Sequence, residues 1–203
     1  TSNFCDVTIM DTSSVYLRFS TPPKDSRRVA LEIISGEGRA EISSDNTVTV
    51  TRRSSFPTIS AEDVCLRKGK WYYEITLLKA GLAQFGWADK SFNPSSDTGD
   101  GTGDDKHSWA YDGHRTMKWH DGNERWGSSW RDGQVIGCAV DLDERTMSFS
   151  LDGNWSSPMG IAFTDIEFVE GLRPSATCNQ PCQYRFNFGD MTPLKYSPPS
   201  GYA

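Results

Sequence analysis

Nowhere in the 203 residues do ten consecutive positions combine helical periodicity with a matching cap. No apolar run approaches the ~20 residues that a membrane helix needs, and no signal-peptide pattern opens the chain. These absences exclude a helical fold and membrane insertion; a monomeric domain of a larger chain is expected. Cysteine is sparse: Cys5, Cys65, Cys138, Cys178 and Cys182, an odd number at scattered spacing. That pattern suits no disulfide framework, so free thiols in a reducing, cytoplasmic compartment are expected. The formal net charge is −6. Seven basic residues balance seven acidic ones up to Ile59, whereas fourteen face twenty from Ser60 onward. A phosphate-backbone binder needs a basic stripe, so nucleic acid is excluded as a partner and a basic protein is mildly favoured.

Catalytic and metal-binding patterns are missing as well. There is no Gly-x-Ser-x-Gly nucleophile turn. Gly99–Gly103 lacks the Lys-Ser/Thr of a phosphate loop, and its aspartates would repel phosphate. Counting from Asp97 as position 1 of an EF-hand puts Gly99, Gly101 and Ser108 where Asp, Asp and Glu are required. The Asp97–Asp105 run therefore reads as a solvated, turn-making loop, or as a contact for a basic peptide. Cys178 and Cys182 have no second pair with which to hold zinc. No catalytic residue, metal or cofactor is expected.

What the chain does have is aromatic mass, with seven Trp, seven Tyr and ten Phe, and many short alternating runs. The clearest stretch is Gly133–Gly153. Ile136, Cys138, Val140 and Leu142 alternate with small or polar residues, as do Met147, Phe149 and Leu151. Period-2 patterning puts each apolar set on one face of a strand, and Asp143–Thr146 is short enough for a hairpin loop. One face of this hairpin belongs in a core; the other is small and polar. Further strands are read at Ala40–Arg53 with a turn at Asp45-Asn46, at Trp71–Leu78, Gln84–Ala88, Ser108–Tyr111, Met117–Trp119, Leu172–Thr177 and Tyr184–Phe188. Gly86, between Phe85 and Trp87, implies a close approach by backbone or by an aromatic side chain. Ser54–Ile59, Ser91–Lys106 and Asp121–Asp132 read as loops, and Lys195–Ala203 as a tail able to lie over the sheet. Residues 1–39 carry short apolar runs at Val7–Met10, Val15–Phe19 and Val29–Ile34 and read as an N-terminal extension packed on a domain spanning 40–203. Many short strands joined by loops indicate an all-β, two-sheet antiparallel β-sandwich.

Several blocks, in order, resemble the SPRY (B30.2-type) domain family. They are Gly69-Lys-Trp-Tyr-Tyr-Glu74, Gln84-Phe-Gly-Trp-Ala88, Gly103–Gly113, Asp132–Asp143, Ser148-Phe-Ser-Leu-Asp-Gly153, Leu172-Arg-Pro-Ser-Ala176 and Phe186-Asn-Phe-Gly-Asp190. The tail Leu194–Tyr202 is similar to the ending found in large ubiquitin ligases and ryanodine receptors. The resemblance implies a bent sandwich of concanavalin-like, jelly-roll architecture that acts as a non-catalytic protein-interaction module, with contacts made by loops at one rim. In members that read Asn-rich peptides those contacts come from three places. On this chain they fall at Arg52, Arg53 and Ser54, at Phe92, Asn93 and Asp97 in the long loop, and at Asn179 and Gln180 before the last strand. Ser54 and Ser55 stand where those members have Pro, and Asn179-Gln180 where they have Trp-Gly, so the location carries over and the ligand does not. The expected function is recognition of a peptide segment of a protein partner, recruiting substrate within a larger ubiquitin ligase. The alternatives are an interdomain contact in a large channel-type protein and a lectin-like sandwich that stacks ligands on tryptophan. Trp126 and Trp130 read equally as core edge or as exposed anchors. With Arg131, Trp130 joins the candidate contacts because Trp and Arg are common interface hot spots.

Overall fold

Alternation along the sequence becomes two sheets in the computed structural model, which describes residues 28–52, 55–179 and 181–199. The first sheet contains β1 (Leu31–Ser35), β4 (Thr58–Ala61), β6 (Ala83–Asp89), β7 (Ser108–Asp112), β8 (Met117–Trp119), β9 (Asn123–Arg125) and β13 (Leu172–Cys178). Their spatial order is β1-β4-β13-β6-β7-β8-β9. The second contains β2 (Ala40–Ile42), β3 (Thr47–Val50), β5 (Lys70–Lys79), β10 (Val135–Asp141), β11 (Thr146–Leu151), β12 (Gly160–Phe163) and β14 (Gln183–Asn187). Its order is β12-β11-β10-β5-β14-β3-β2. Every pairing is antiparallel, and no helix forms among the described residues.

Inward positions follow the predicted period. Phe85 and Trp87 on β6 face Tyr73 on β5 and Tyr184 on β14, with ring centroids 4.9 Å apart for both Tyr73–Trp87 and Phe85–Tyr184. Tyr111 on β7 meets Phe149 on β11 at 5.8 Å. Such pairs contribute about 0.5–1.5 kcal/mol each beyond the area they bury, so they fasten one sheet to the other. The Tyr73 hydroxyl crosses the core and donates to the Gly86 carbonyl. At Gly86 an added Cβ would lie 2.0 Å from the Trp109 carbonyl oxygen, so only glycine lets β7 come this close.

The hairpin joins β10 to β11 in register from Ile136↔Leu151 to Asp141↔Thr146. Its second face is small, as the sequence suggests, but it is not a solvated face. The Tyr72 ring lies across Gly137, where a Cβ would come within 2.9 Å of it, and Ser148 and Ser150 are buried too. Residues 193–199 pass over this side of the second sheet. Glu74, 1 % exposed, accepts the backbone N–H of Lys195 at 2.8 Å and of Tyr196 at 2.7 Å. Trp155 donates its indole N–H to the Ser197 carbonyl at 3.1 Å. The described part of the tail thus covers the sheet, as read from the sequence.

Two loop expectations need correction, and one strand was not anticipated. Thr58 and Ile59 belong to β4, not to a loop, because strand pairing with β1 and β13 resumes directly after Pro57. Asn123–Arg125 pairs with β8 as an exposed edge strand whose polar residues give no alternation to read. Gly160–Phe163 adds β12 through backbone pairing with β11. Within the segment read as an extension, β1 pairs with β4 and so joins the first sheet; Val7–Met10 and Val15–Phe19 lie outside the described residues. Cys65, Cys138, Cys178 and Cys182 are free thiols, and Cys5 lies outside the described residues.

Two outcomes follow. Gly86→Ala is expected to cost about 3 kcal/mol or more, because neither strand has room to give, and a urea unfolding midpoint measures it. Glu74→Ala removes hydrogen bonds to a charged acceptor, worth ~1.5–3 kcal/mol each. It should strip hydrogen-exchange protection from the Lys195 and Tyr196 amides while those of β10 stay protected.

Candidate binding rim

The long loop over residues 91–106 is held against the first sheet by hydroxyl groups. Thr102, fully buried, presents its N–H to Thr177 Oγ1 at 2.8 Å and its hydroxyl to Ser175 Oγ at 2.8 Å. Thr177 also meets Thr58 at 2.9 Å, and Ser60 donates to Ser175 at 3.2 Å. Serine and threonine at alternate positions of β4 and β13 therefore form a polar ladder on the outer face, and the loop inserts into it. Gly101 fits because an added Cβ would lie within 2.7 Å of the Thr177 side chain. The loop is thus packed along this stretch, and not solvated throughout as its composition suggested.

Its outer turn is pinned from two other directions. Ser96 accepts from Arg39 Nη1 at 2.8 Å and from the Phe56 N–H at 3.3 Å, and its own N–H reaches Ser35 Oγ at 2.8 Å. Arg39 continues to an ion pair with Asp97. Between this turn, the segment before β4 and the β13–β14 turn lies a groove of about 440 Å³. Phe56 and Leu82 supply apolar walls, and Asn179 closes one end. Asn179 is fixed by its N–H to the Leu82 carbonyl at 2.9 Å and by its carbonyl to the Cys182 N–H at 3.0 Å.

The polar groups of the groove are Gln84, Asp104 and Arg115. Gln84 Nε2 donates to Asp104 Oδ1 at 3.0 Å, and the Gly101 N–H donates to Asp104 Oδ2 at 2.7 Å. Burial pushes the Asp104 carboxyl above its ordinary range, and these two hydrogen bonds pull it partly back. Gln84 Oε1 is buried without a hydrogen-bond partner. Arg115 donates through Nε to Asp112 and stacks its guanidinium 4.0 Å from the Trp119 ring, yet its Nη2 is also buried without a partner. Buried polar groups are ordinarily satisfied. Two such orphans, an acceptor and a donor, belong to residues that line this one groove.

The residues singled out from the sequence divide unevenly. Asp97 and Asn179 line the groove. Arg52 is exposed, and its carbonyl accepts the Ser55 hydroxyl at 2.6 Å, with Ser55 on the groove wall. Arg53, Ser54 and Gln180 lie outside the described residues. Asn93 is exposed in the same loop, whereas Phe92 turns inward and is 8 % exposed. Trp130 is a core residue, not an exposed anchor. It is 8 % exposed, packs 5.2 Å from both Phe85 and Tyr111, and donates its indole N–H to the Gly81 carbonyl at 3.3 Å. It supports the rim from beneath, while Arg131 beside it is exposed. Sequence reasoning missed Gln84 and Arg115, and held Asp104 only as one member of the Asp97–Asp105 run. Gln84 was the one readable hint, a long amide at the head of an otherwise apolar strand.

The groove sits where loops from three parts of the chain converge at one end of the sandwich. The SPRY domain model matches residues 70–191, spanning β5 to β14 and most of the groove. The chain is 37% identical over 137 residues to the E3 ubiquitin-protein ligase RKP of Arabidopsis thaliana, covering 66% of this chain and 10% of that protein. It is 26% identical over 138 residues to the ATP-dependent RNA helicase DDX1 of Xenopus laevis, covering 68% of this chain and 17% of the relative. The ATP-dependent RNA helicase Ddx1 of Drosophila melanogaster is 29% identical over 143 residues, covering 66% and 17%. The chain therefore spans a tenth to about a sixth of the length of these relatives. With the ordered motifs, the fourteen antiparallel strands among the described residues and the family match in agreement, the chain belongs to the SPRY domain family of protein-interaction modules.

Proposed function

We propose that this domain is a non-catalytic recognition module whose rim groove receives a short extended segment of a protein partner. The observation that carries the reading is the pair of buried, unpartnered atoms in the groove, Gln84 Oε1 and Arg115 Nη2. A polypeptide offers N–H donors and C=O acceptors at regular spacing, so one extended segment satisfies both. Phe56 and Leu82 provide the apolar surface beside them. Asp97 is already paired with Arg39, so the groove's own charge does not select a basic partner. The likeness to a plant ubiquitin ligase supports recruitment of a ubiquitination substrate as the biological setting. A lectin-like reading lacks its platform, because Trp109 and Trp130 are buried and Trp126 stands edge-on to Tyr111 at 5.4 Å.

The test is affinity capture from a cell lysate with quantitative mass spectrometry, comparing the parent chain with Gln84→Leu and Arg115→Ala. Leaving a buried hydrogen-bonding group unmatched costs about 1–3 kcal/mol, so each variant should lose captured partner roughly 5- to 150-fold. Thermal unfolding of both variants separates lost recognition from lost folding, since Arg115→Ala also takes the cation from the buried Asp112. Partners retained in full by both folded variants would place recognition elsewhere.

A further inference from the structure

The two sheets meet the solvent at a second opening. β6 runs from the rim groove at Gln84 to Asp89, and at that far end β7 and β8 of the first sheet face β12 and the 164–171 connection of the second. Between them lies a cleft of about 830 Å³, within the range of ligand-binding cavities. Its walls are preformed. Asp89 accepts the Val169 N–H at 2.9 Å, Glu170 pairs with Lys90, and the Ile166 side chain is buried. The Lys118 ammonium spans the gap to the Ala162 carbonyl at 2.9 Å.

The floor is the exposed His120 ring, and the unpaired charged groups among the described residues are two carboxylates and one ammonium. Trp109 and His120 stack with centroids 4.6 Å apart and 15° between planes, and Phe163 stands edge-on to His120. His120 Nδ1 donates to the Ser108 carbonyl at 2.9 Å, which fixes the ring plane. His107 is held by Asp89, with Nδ1 3.0 Å from Oδ2. Asp165 and Glu167 are exposed on the opposite wall with no ion pair among the described residues. Lys118 is already engaged by Ala162 and by Glu124 at 3.0 Å, which leaves Lys106 as the cleft's uncommitted cation among the described residues. Ile161 and Val169, 61 % and 44 % exposed, flank the opening.

We infer that this cleft is a second binding site, for an arginine-bearing segment of a protein partner. A guanidinium has five donors and no acceptor, and its plane stacks on aromatic faces. It therefore matches the open face of His120 beside Asp165 and Glu167, two unpaired carboxylates against the single uncommitted ammonium of Lys106, where a carboxylate would be repelled. The apolar neighbours of that arginine would cover Ile161 and Val169. This inference does not rest on the rim groove.

The experiment titrates acetyl-Ile-Arg-Ile-amide and acetyl-Ile-Glu-Ile-amide into isotope-labelled chain and follows the methyl and imidazole resonances. The arginine peptide should produce saturable shifts at Ile161, Val169 and His120, and the glutamate peptide should not. The double variant Asp165→Asn/Glu167→Gln, altered only at exposed carboxylates, should bind at least about fivefold more weakly. Glu41→Gln, an exposed carboxylate on β2 at the opposite edge of the second sheet from β12, should leave these shifts unchanged. The inference is overturned by no saturable shift at the cleft, by equal responses to the two peptides, or by undiminished binding in the double variant.

Discussion

The structure depends on how closely two sheets and two neighbouring strands approach at Gly86. The residue has no Cβ, so the Trp109 carbonyl occupies the space a side chain would take. Its own carbonyl then lies within reach of the Tyr73 hydroxyl from the opposite sheet. A hydroxyl crossing an aromatic core must find an acceptor, since an unmatched polar group there is costly. The contact therefore sets both the spacing of the sheets and the position of β6. That strand in turn carries Gln84 into the rim groove at one end and Asp89 to the second cleft at the other.

The two faces that a sandwich normally gives to water are covered here in different ways. On the first sheet, hydroxyls of β4 and β13 capture Thr102, so a loop rich in glycine and aspartate becomes part of a wall. On the second, Glu74 captures two backbone amides of the tail, and Tyr72 and Trp155 pack beneath it at 5.9 Å. In both cases small outward-facing residues make room for a crossing segment. The groove then arises where the first cover meets the turn before β14, and its unpartnered atoms are a consequence of that junction.

Much of the fold was legible because strand periodicity is local. The β10–β11 hairpin, the inward sets of β5, β6 and β14, and the glycine needed at position 86 all follow from residues within a few positions of one another. β9 was not legible because three exposed polar residues carry no alternation, and β12 because its place comes from pairing with β11. Of the candidate contacts, Asp97 and Asn179 were found through the likeness to a family, and both line the groove. Trp130 shows the limit of composition: the aromatic type that favours an interface hot spot equally favours a core, and only its neighbours Phe85 and Tyr111 decide.

By itself, the sequence determined the strand pattern, the inward faces and the family, since these rest on short-range alternation and ordered motifs. The tertiary structure alone decided which polar atoms remain unsatisfied. Gln84 and Arg115 become a matched acceptor and donor only when β6 and the turn before β8 are brought to one groove. Whether a polar atom is free is settled by every group around it, most of them distant in the chain, and no local pattern records that.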